Sequence, residues 1–284
     1  MANTVNKNVI VPEVYAELVR EKVAGKVMIA QACKVLGDLK GKVGETLTMP
    51  KWAYIGDATD IIPGTPMTAT NMKQTSTTAT IKMIAAPAIS VNDYDDVVEL
   101  GSALDEASKQ QGTSIARKLD IDAITEGKKT VLQKALATKN TVTFDEMNAI
   151  LGLYGDDANA SDFEFIAIHS AFIPSFLKMD GFVSAEVTFT AQGNGIQLNN
   201  LLGYFRGIPV VVSDRLYDNT NTEGFILVIK KDSIGLIPKE SPFTEVARDA
   251  STRTNTIFTS QYYAMALIDD AGVVLAQTVL PTIA

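Results

Sequence analysis

The sequence predicts a mixed α+β fold, and three observations carry that prediction. After Asn92 a helical apolar period steps by three or four through Leu100, Leu104, Ala107, Gln111, Ile115 and Leu119. From Thr256 to Ile268 polar and apolar residues alternate, which puts Ile257, Thr259, Gln261, Tyr263, Met265 and Leu267 on one side of a strand. Between these two stretches, over residues 140–239, helical and strand patterns follow one another as they do in a mixed α/β layer. The 284 residues, 46% apolar and 20% charged, are enough for one large domain or two small ones. That composition excludes bulk disorder, collagen-like repeats and a disulfide scaffold.

Taken in order, residues 1–44 begin with a polar stub and the apolar triplet Val9-Ile10-Val11. Pro12 suits a first helical turn. Val14, Leu18, Val23, Val27, Ala30 and Val35 then keep a helical spacing until Gly37, Gly41 and Gly44 end it. Residues 45–92 hold two strand patterns, Thr46–Met49 and Thr80–Met83. The 27 residues from Trp52 to Thr78 carry two prolines and two glycines, and seven threonines lie between Thr65 and Thr80. A structureless stretch of that length is uncommon inside one domain. A long hairpin projecting from the body resolves the conflict. A two-stranded ribbon is marginal in water by itself, so its apolar Ile55, Ile61, Ile62 and Met67 need another molecule to cover them.

Residues 93–139 read as helix, with Gly101 and Gly112 as candidate breaks. Thr143-Phe144-Asp145-Glu146 is a capping box leading to Met147, Ile150, Leu151 and Tyr154. Phe163–Ile168 reads as a buried strand, and Ser170 as the cap of a helix through Phe172, Phe176 and Leu177. Ile208–Val212 and Phe225–Ile229 read as further buried strands. Residues 240–284 are mostly β, with a turn at Asp269-Asp270-Ala271-Gly272 into Val273-Val274-Leu275.

The chemistry-bearing residues are few. There is one histidine, His169, and one cysteine, Cys33. No internal disulfide is possible, and most thiol and metal chemistry is excluded. His169 and Ser170 are adjacent but lack the G-x-S-x-G context of a nucleophile, so a structural, hydrogen-bonded histidine is expected. Gly37-x-x-x-Gly41-Lys42-Val43 is one residue short of a phosphate loop, and Val43 replaces the magnesium-holding hydroxyl. Gly193-Asn194-Gly195 lacks the third glycine of a dinucleotide fingerprint. Asp157, Asn159 and Ser161 begin like a calcium loop that Phe163 and Ile168 do not complete. No cofactor, metal or catalytic residue is therefore expected.

Charge and hydropathy patterning narrow the partners. The net charge is −8, from 25 basic and 33 acidic side chains. Residues 1–51 hold eight basic and five acidic residues, net +3, leaving −11 for the remainder. A protein whose whole surface wraps DNA needs the opposite sign. The longest uncharged stretch, Val187–Phe205, contains five amide side chains and is no membrane span. The N-terminus lacks the pattern of a signal peptide.

The order of these segments carries a resemblance. Phe165-Ile166-Ala167-Ile168-His169 is followed by a helix ending Leu177-Lys178-Met179-Asp180, then by Gly193-Asn194-Gly195. Next comes Leu202-Gly203-Tyr204-Phe205-Arg206-Gly207-Ile208-Pro209-Val210-Val211-Val212-Ser213-Asp214. Ile89-Ser90-Val91-Asn92-Asp93 leads into the long helix. This succession resembles the major capsid protein of tailed bacteriophages, a fold shared with encapsulin shells. The resemblance implies an N-terminal arm over 1–44 and an extended β-hairpin loop over 45–92. It further implies a peripheral domain with a spine helix over 93–139 and 240–284, and an axial domain over 140–239.

It also implies a structural, non-enzymatic virion protein. Pentamers and hexamers of one chain would close an icosahedral shell around double-stranded DNA, touched weakly and without sequence preference. Scaffolding, portal and decoration proteins are expected to be separate chains. Assembly is expected in the host cytoplasm with no membrane involved. Trp52, Ile55, Ile61, Ile62 and Met67 become the expected inter-subunit contacts. Asn71 and Lys73 lie in the loop, but no motif supports a covalent crosslink. Two rival readings follow from the same residues: an encapsulin-like compartment, and a soluble α/β enzyme with a lid over 53–79 and a concave site near His169.

Overall fold

The structure, a computed structural model, describes residues 12–37, 46–52, 71–92, 103–155, 159–184 and 201–281, with positions 55, 56, 58, 60 and 69 between the second and third of these. Helix α1 (Pro12–Ala24) starts on the expected proline and buries Tyr15, Val19 and Val23. Val23 is buried as expected, while Tyr15 and Val19 take the places expected of Val14 and Leu18, and Val14 is exposed. The helical reading through Ala30 and Val35 is corrected: α1 stops at Ala24, a 3₁₀ turn covers Ala30–Ala32, and β1 is Lys34–Val35. The cause lies in a distant carboxylate. Asp120 accepts the N–H groups of Met28, Ile29 and Ala30 at 3.2, 2.9 and 2.9 Å, so these donors are satisfied outside a helix.

Strand β2 (Thr46–Trp52) pairs antiparallel with β3 (Gln74–Thr80), Thr46 opposite Thr80 and Trp52 opposite Gln74. The expected hairpin is present. Its return strand is the threonine-rich run rather than Thr80–Met83, because β4 (Lys82–Ala85) joins a different sheet. β5 (Ile89–Asn92) precedes helix α2 (Ala103–Gly127). Ala107, Gln111, Ile115 and Leu119 are buried on the expected face of α2.

Gly112 does not break α2. A Cβ at this position would sit 2.8 Å from Lys22 Cβ and 3.3 Å from the Val19 carbonyl, so the glycine is where α1 crosses closest. The helical reading as far as residue 139 is also corrected, since Leu132–Ala135 is strand β6. Just before it, the Thr130 hydroxyl donates to the Val273 carbonyl.

Helix α3 (Phe144–Gly152) has the expected capping box, with Thr143 and Glu146 bonded reciprocally. Next come β7 (Phe163–Ile168), a 3₁₀ turn (Ser170–Phe172) and a single α-turn (Ile173–Phe176). The cap here is His169 rather than Ser170: its Nδ1 accepts the Ala171 N–H at 3.2 Å. The remaining strands are β8 (Phe182–Ser184), β9 (Leu201–Phe205), β10 (Ile208–Val212), β11 (Tyr217–Asp218), β12 (Glu223–Gly224), β13 (Ile226–Lys230), β14 (Ile234–Asp249), β15 (Thr254–Leu267) and β16 (Val273–Gln277). Arg206 and Gly207 form the two-residue β9–β10 turn with φ of 49° and 83°. Left-handed backbone at both positions is what such a turn needs, and it costs a non-glycine residue about 1–2 kcal/mol.

Two larger sheets organise these strands. One runs β1-β14-β15-β4, with β5 also on β15. The other runs β6-β16-β13-β7-β10-β9-β8. The central strands of the second sheet are apolar on both faces, which explains their continuous apolar runs. Phe165 and Ala167 of β7, Leu227 and Ile229 of β13, and Val273 and Leu275 of β16 join a core with α1, α2 and the first sheet. Their alternates Ile166, Ile168, Ile226, Val228, Val274 and Ala276 join a core beneath α3 with Phe172 and Phe176. The expected boundary at 239/240 falls inside β14, whose register shifts around Pro238 and Glu240. β16, within the expected second peripheral segment, pairs in the second sheet.

Candidate functional site

The base of the β2–β3 ribbon is not free. Met49 and Ala79 pack with Ile237, Ala264 and Ala266 on the β14–β15 pair, so the ribbon is anchored by its own body there. Beyond the anchor, Trp52 ends β2 opposite Gln74, and Ile55 is 62% exposed, as is Met72 on the return side. Ile61, Ile62 and Met67 lie outside the described residues. The structure therefore places Trp52 and Ile55 on one ribbon and leaves Ile55 uncovered. Sequence reading missed the anchor, although Leu47 and Met49 alternate with threonines in the manner of a half-buried strand.

The residues screened for chemistry take structural positions. Cys33 is buried, and burial, with the nearby Asp120 charge second, pushes its thiol up to about 12. Asp120 is fully buried and also ion-paired to Arg215, so one carboxylate joins residues 28–30, α2 and the segment after β10. Asp122 sits between Tyr263, whose hydroxyl donates at 2.6 Å, and Lys118 at 2.9 Å. Asn159 and Asp162 close a capping box. Asp269 accepts the Ala271 N–H in the expected turn. Gly41, Lys42, Gly193, Gly195 and Asp157 lie outside the described residues. Among the described residues no three His, Cys, Asp or Glu side chains gather as metal ligands.

A concavity of about 540 Å³ does lie beside His169, lined by Arg117, Ile121, Asp214, Arg215, Tyr217 and Asn219. Its charged groups are spoken for. Arg117 pairs with Asp214 at 3.2 Å, and Arg215 pairs with Asp120. The His169 ring packs 5.0 Å from that of Tyr217, and burial, partly offset by Asp214, holds its pKa below the usual histidine value. Among the described residues no serine, cysteine or lysine lines this concavity.

With anchored ribbon, spanning helix and two sheets in place, comparison with known proteins decides the class. A family model described as phage capsid protein matches residues 87–276. The chain belongs to this family. The capsid relatives include the major capsid protein of Staphylococcus phage phiMR11, 29% identical over 274 residues, covering 95% of this chain and 94% of that one.

Solved structures share the fold at low identity. One from Mycobacterium phage Che8 superposes with a TM-score of 0.62 at 15% identity, over 88% of this chain and 90% of that one. The capsid structure of cyanophage P-SCSP1u gives 0.59 at 14%, over 84% and 85%. A virus-like particle from Pyrococcus furiosus gives 0.56 at 11%, over 93% and 98%. The phage-capsid-like α+β fold expected from the order of motifs is thus the observed one.

Proposed function

We propose that the chain is the major capsid protein of a tailed phage, and that many copies close an icosahedral shell of pentamers and hexamers around double-stranded DNA. The observation that carries this reading is the capsid-family match across 87–276, which contains both sheets' central strands and the whole of α2. The exposed Ile55 on a body-anchored ribbon supports it, since a neighbouring copy would bury that side chain. In this reading residues 1–44 are the arm, 45–92 the extended loop, and 93–139 with 240–284 the peripheral domain. Residues 140–239 are the axial domain, and Trp52, Ile55, Ile61, Ile62 and Met67 touch neighbours.

The shell works by multiplicity: each subunit is held by several weak contacts that must break together. A net charge of −8 keeps DNA contained rather than tightly bound. Scaffolding, portal and decoration proteins are separate chains, assembly takes place in the host cytoplasm, and the chain needs no cofactor and performs no catalysis. Negative-stain electron microscopy of the purified recombinant protein tests this directly. Closed shells of uniform diameter are expected, and dispersed subunits at high concentration contradict it.

A further inference from the structure

Resting on the shell reading above, we propose that Arg206 is an inter-subunit contact that binds a carboxylate at the Asp145–Asp180 corner of a second copy of this chain. Arg206 occupies the left-handed first position of the β9–β10 turn, where glycine or asparagine is favoured by conformation. Its exposed side chain has no carboxylate partner among the described residues. A strained, exposed residue with no ion-pair partner among the described residues points to a use in a neighbouring copy. A second observation points the same way. Arg206 lines a concavity of about 410 Å³ with Asn148, Leu151, Gly152, Phe163 and Ile208. There the Asn148 Oδ1 is buried without a hydrogen-bond partner. The exposed guanidinium at the edge of this concavity suits a carboxylate presented by a neighbouring copy.

The complementary surface stands at the other end of α3. Asn148, Leu151 and Gly152 lie toward its C-terminus, whereas Thr143 and Phe144 at its N-terminus line a second concavity of about 690 Å³ with Lys178, Met179 and Asp180. Asp145 and Asp180 are exposed beside half-covered Phe144, which is 38% exposed, and Leu177, which is 55% exposed. Lys178 lines the same concavity as Asp180, and Asp145 follows Phe144 directly in α3. A basic concavity and an acidic, apolar corner at opposite ends of one helix pair head to tail. Contacts of that kind close into rings when the rotation allows.

The test compares assembly of the unaltered chain with Arg206→Gly, Arg206→Glu and Arg206→Glu/Asp180→Arg, by sedimentation and electron microscopy. Glycine suits the left-handed turn, so Arg206→Gly keeps or raises the melting temperature of the unassembled subunit. The proposal expects that same variant to need about tenfold more protein for half-assembly. Arg206→Glu is expected to assemble less well still, and the charge-swapped double variant to recover. Unchanged assembly of Arg206→Gly overturns the contact. Failure of the double variant to recover overturns the assigned corner. Shells from the unaltered chain in either case leave the shell reading standing, and their absence overturns both readings together.

Discussion

Asp120 accepts three backbone N–H groups and faces Arg215 with no exposure to water, and a buried carboxylate in that position cannot be replaced piecemeal. Removing one partner leaves the other charge buried and the three donors unpaired. Asp120→Ala is therefore expected to destabilise the unassembled subunit by about 3–5 kcal/mol in chemical denaturation. Cys33 lies beside it, and a thiol pushed up to about 12 is protonated at pH 8. It should resist a thiol-reactive dye in the folded subunit and react fully once denatured.

His169 sets a pH dependence of its own. Burial holds its folded pKa below the ordinary 6.5, so the unfolded chain takes up a proton first as pH falls. Its stability contribution is complete above pH 6.5 and is lost as pH drops through and below that value. Protonation also removes the Nδ1 lone pair that caps the Ala171 N–H. His169→Asn keeps a capping oxygen and should flatten the stability profile below pH 6.5. An unchanged slope in thermal melts would assign that slope to other groups.

Among the elements, α2 shows how local preference yields to packing. A solvent-exposed Gly→Ala in a helix gains about 1 kcal/mol. At Gly112 the added methyl meets Lys22 Cβ at 2.8 Å, so Gly112→Ala should instead cost about 1–3 kcal/mol and speed proteolysis of α1. What the sequence made legible were patterns with a strong period or a specific cap. These include the buried face of α2, the Thr143–Glu146 box, β7, β10 and the alternating β15. What it hid were terminations made by distant groups. The end of α1 depends on Asp120 some ninety residues away, and the glycine in α2 depends on a crossing helix. The ribbon was legible as an anomaly of length and composition, and its exposed Ile55 follows from that. Its anchor through Met49 and Ala79 was not, because the partners Ile237 and Ala264 lie far along the chain.

At the scale of the whole molecule, the two sheets are fastened by a shared core, since alternate residues of β7, β13 and β16 face opposite sides. Its ribbon is packed onto this body at the base while Ile55 stays uncovered. An anchored projection suits a lattice, where each subunit must present the same contacts to its neighbours. Replacing Ile55 by Asp should leave the subunit's unfolding free energy within about 0.5 kcal/mol, because the side chain is exposed there, and should lower the yield of closed particles on a gradient. The central claim is that copies of this chain, and not its own body, cover the far part of the ribbon. Sedimentation velocity across a wide concentration range, joined to hydrogen exchange of residues 53–73, measures this most directly. The account predicts a concentration-dependent passage to shell-sized particles with protection of 53–73 appearing only in them. A monomer at every concentration, with that segment already protected, would contradict it.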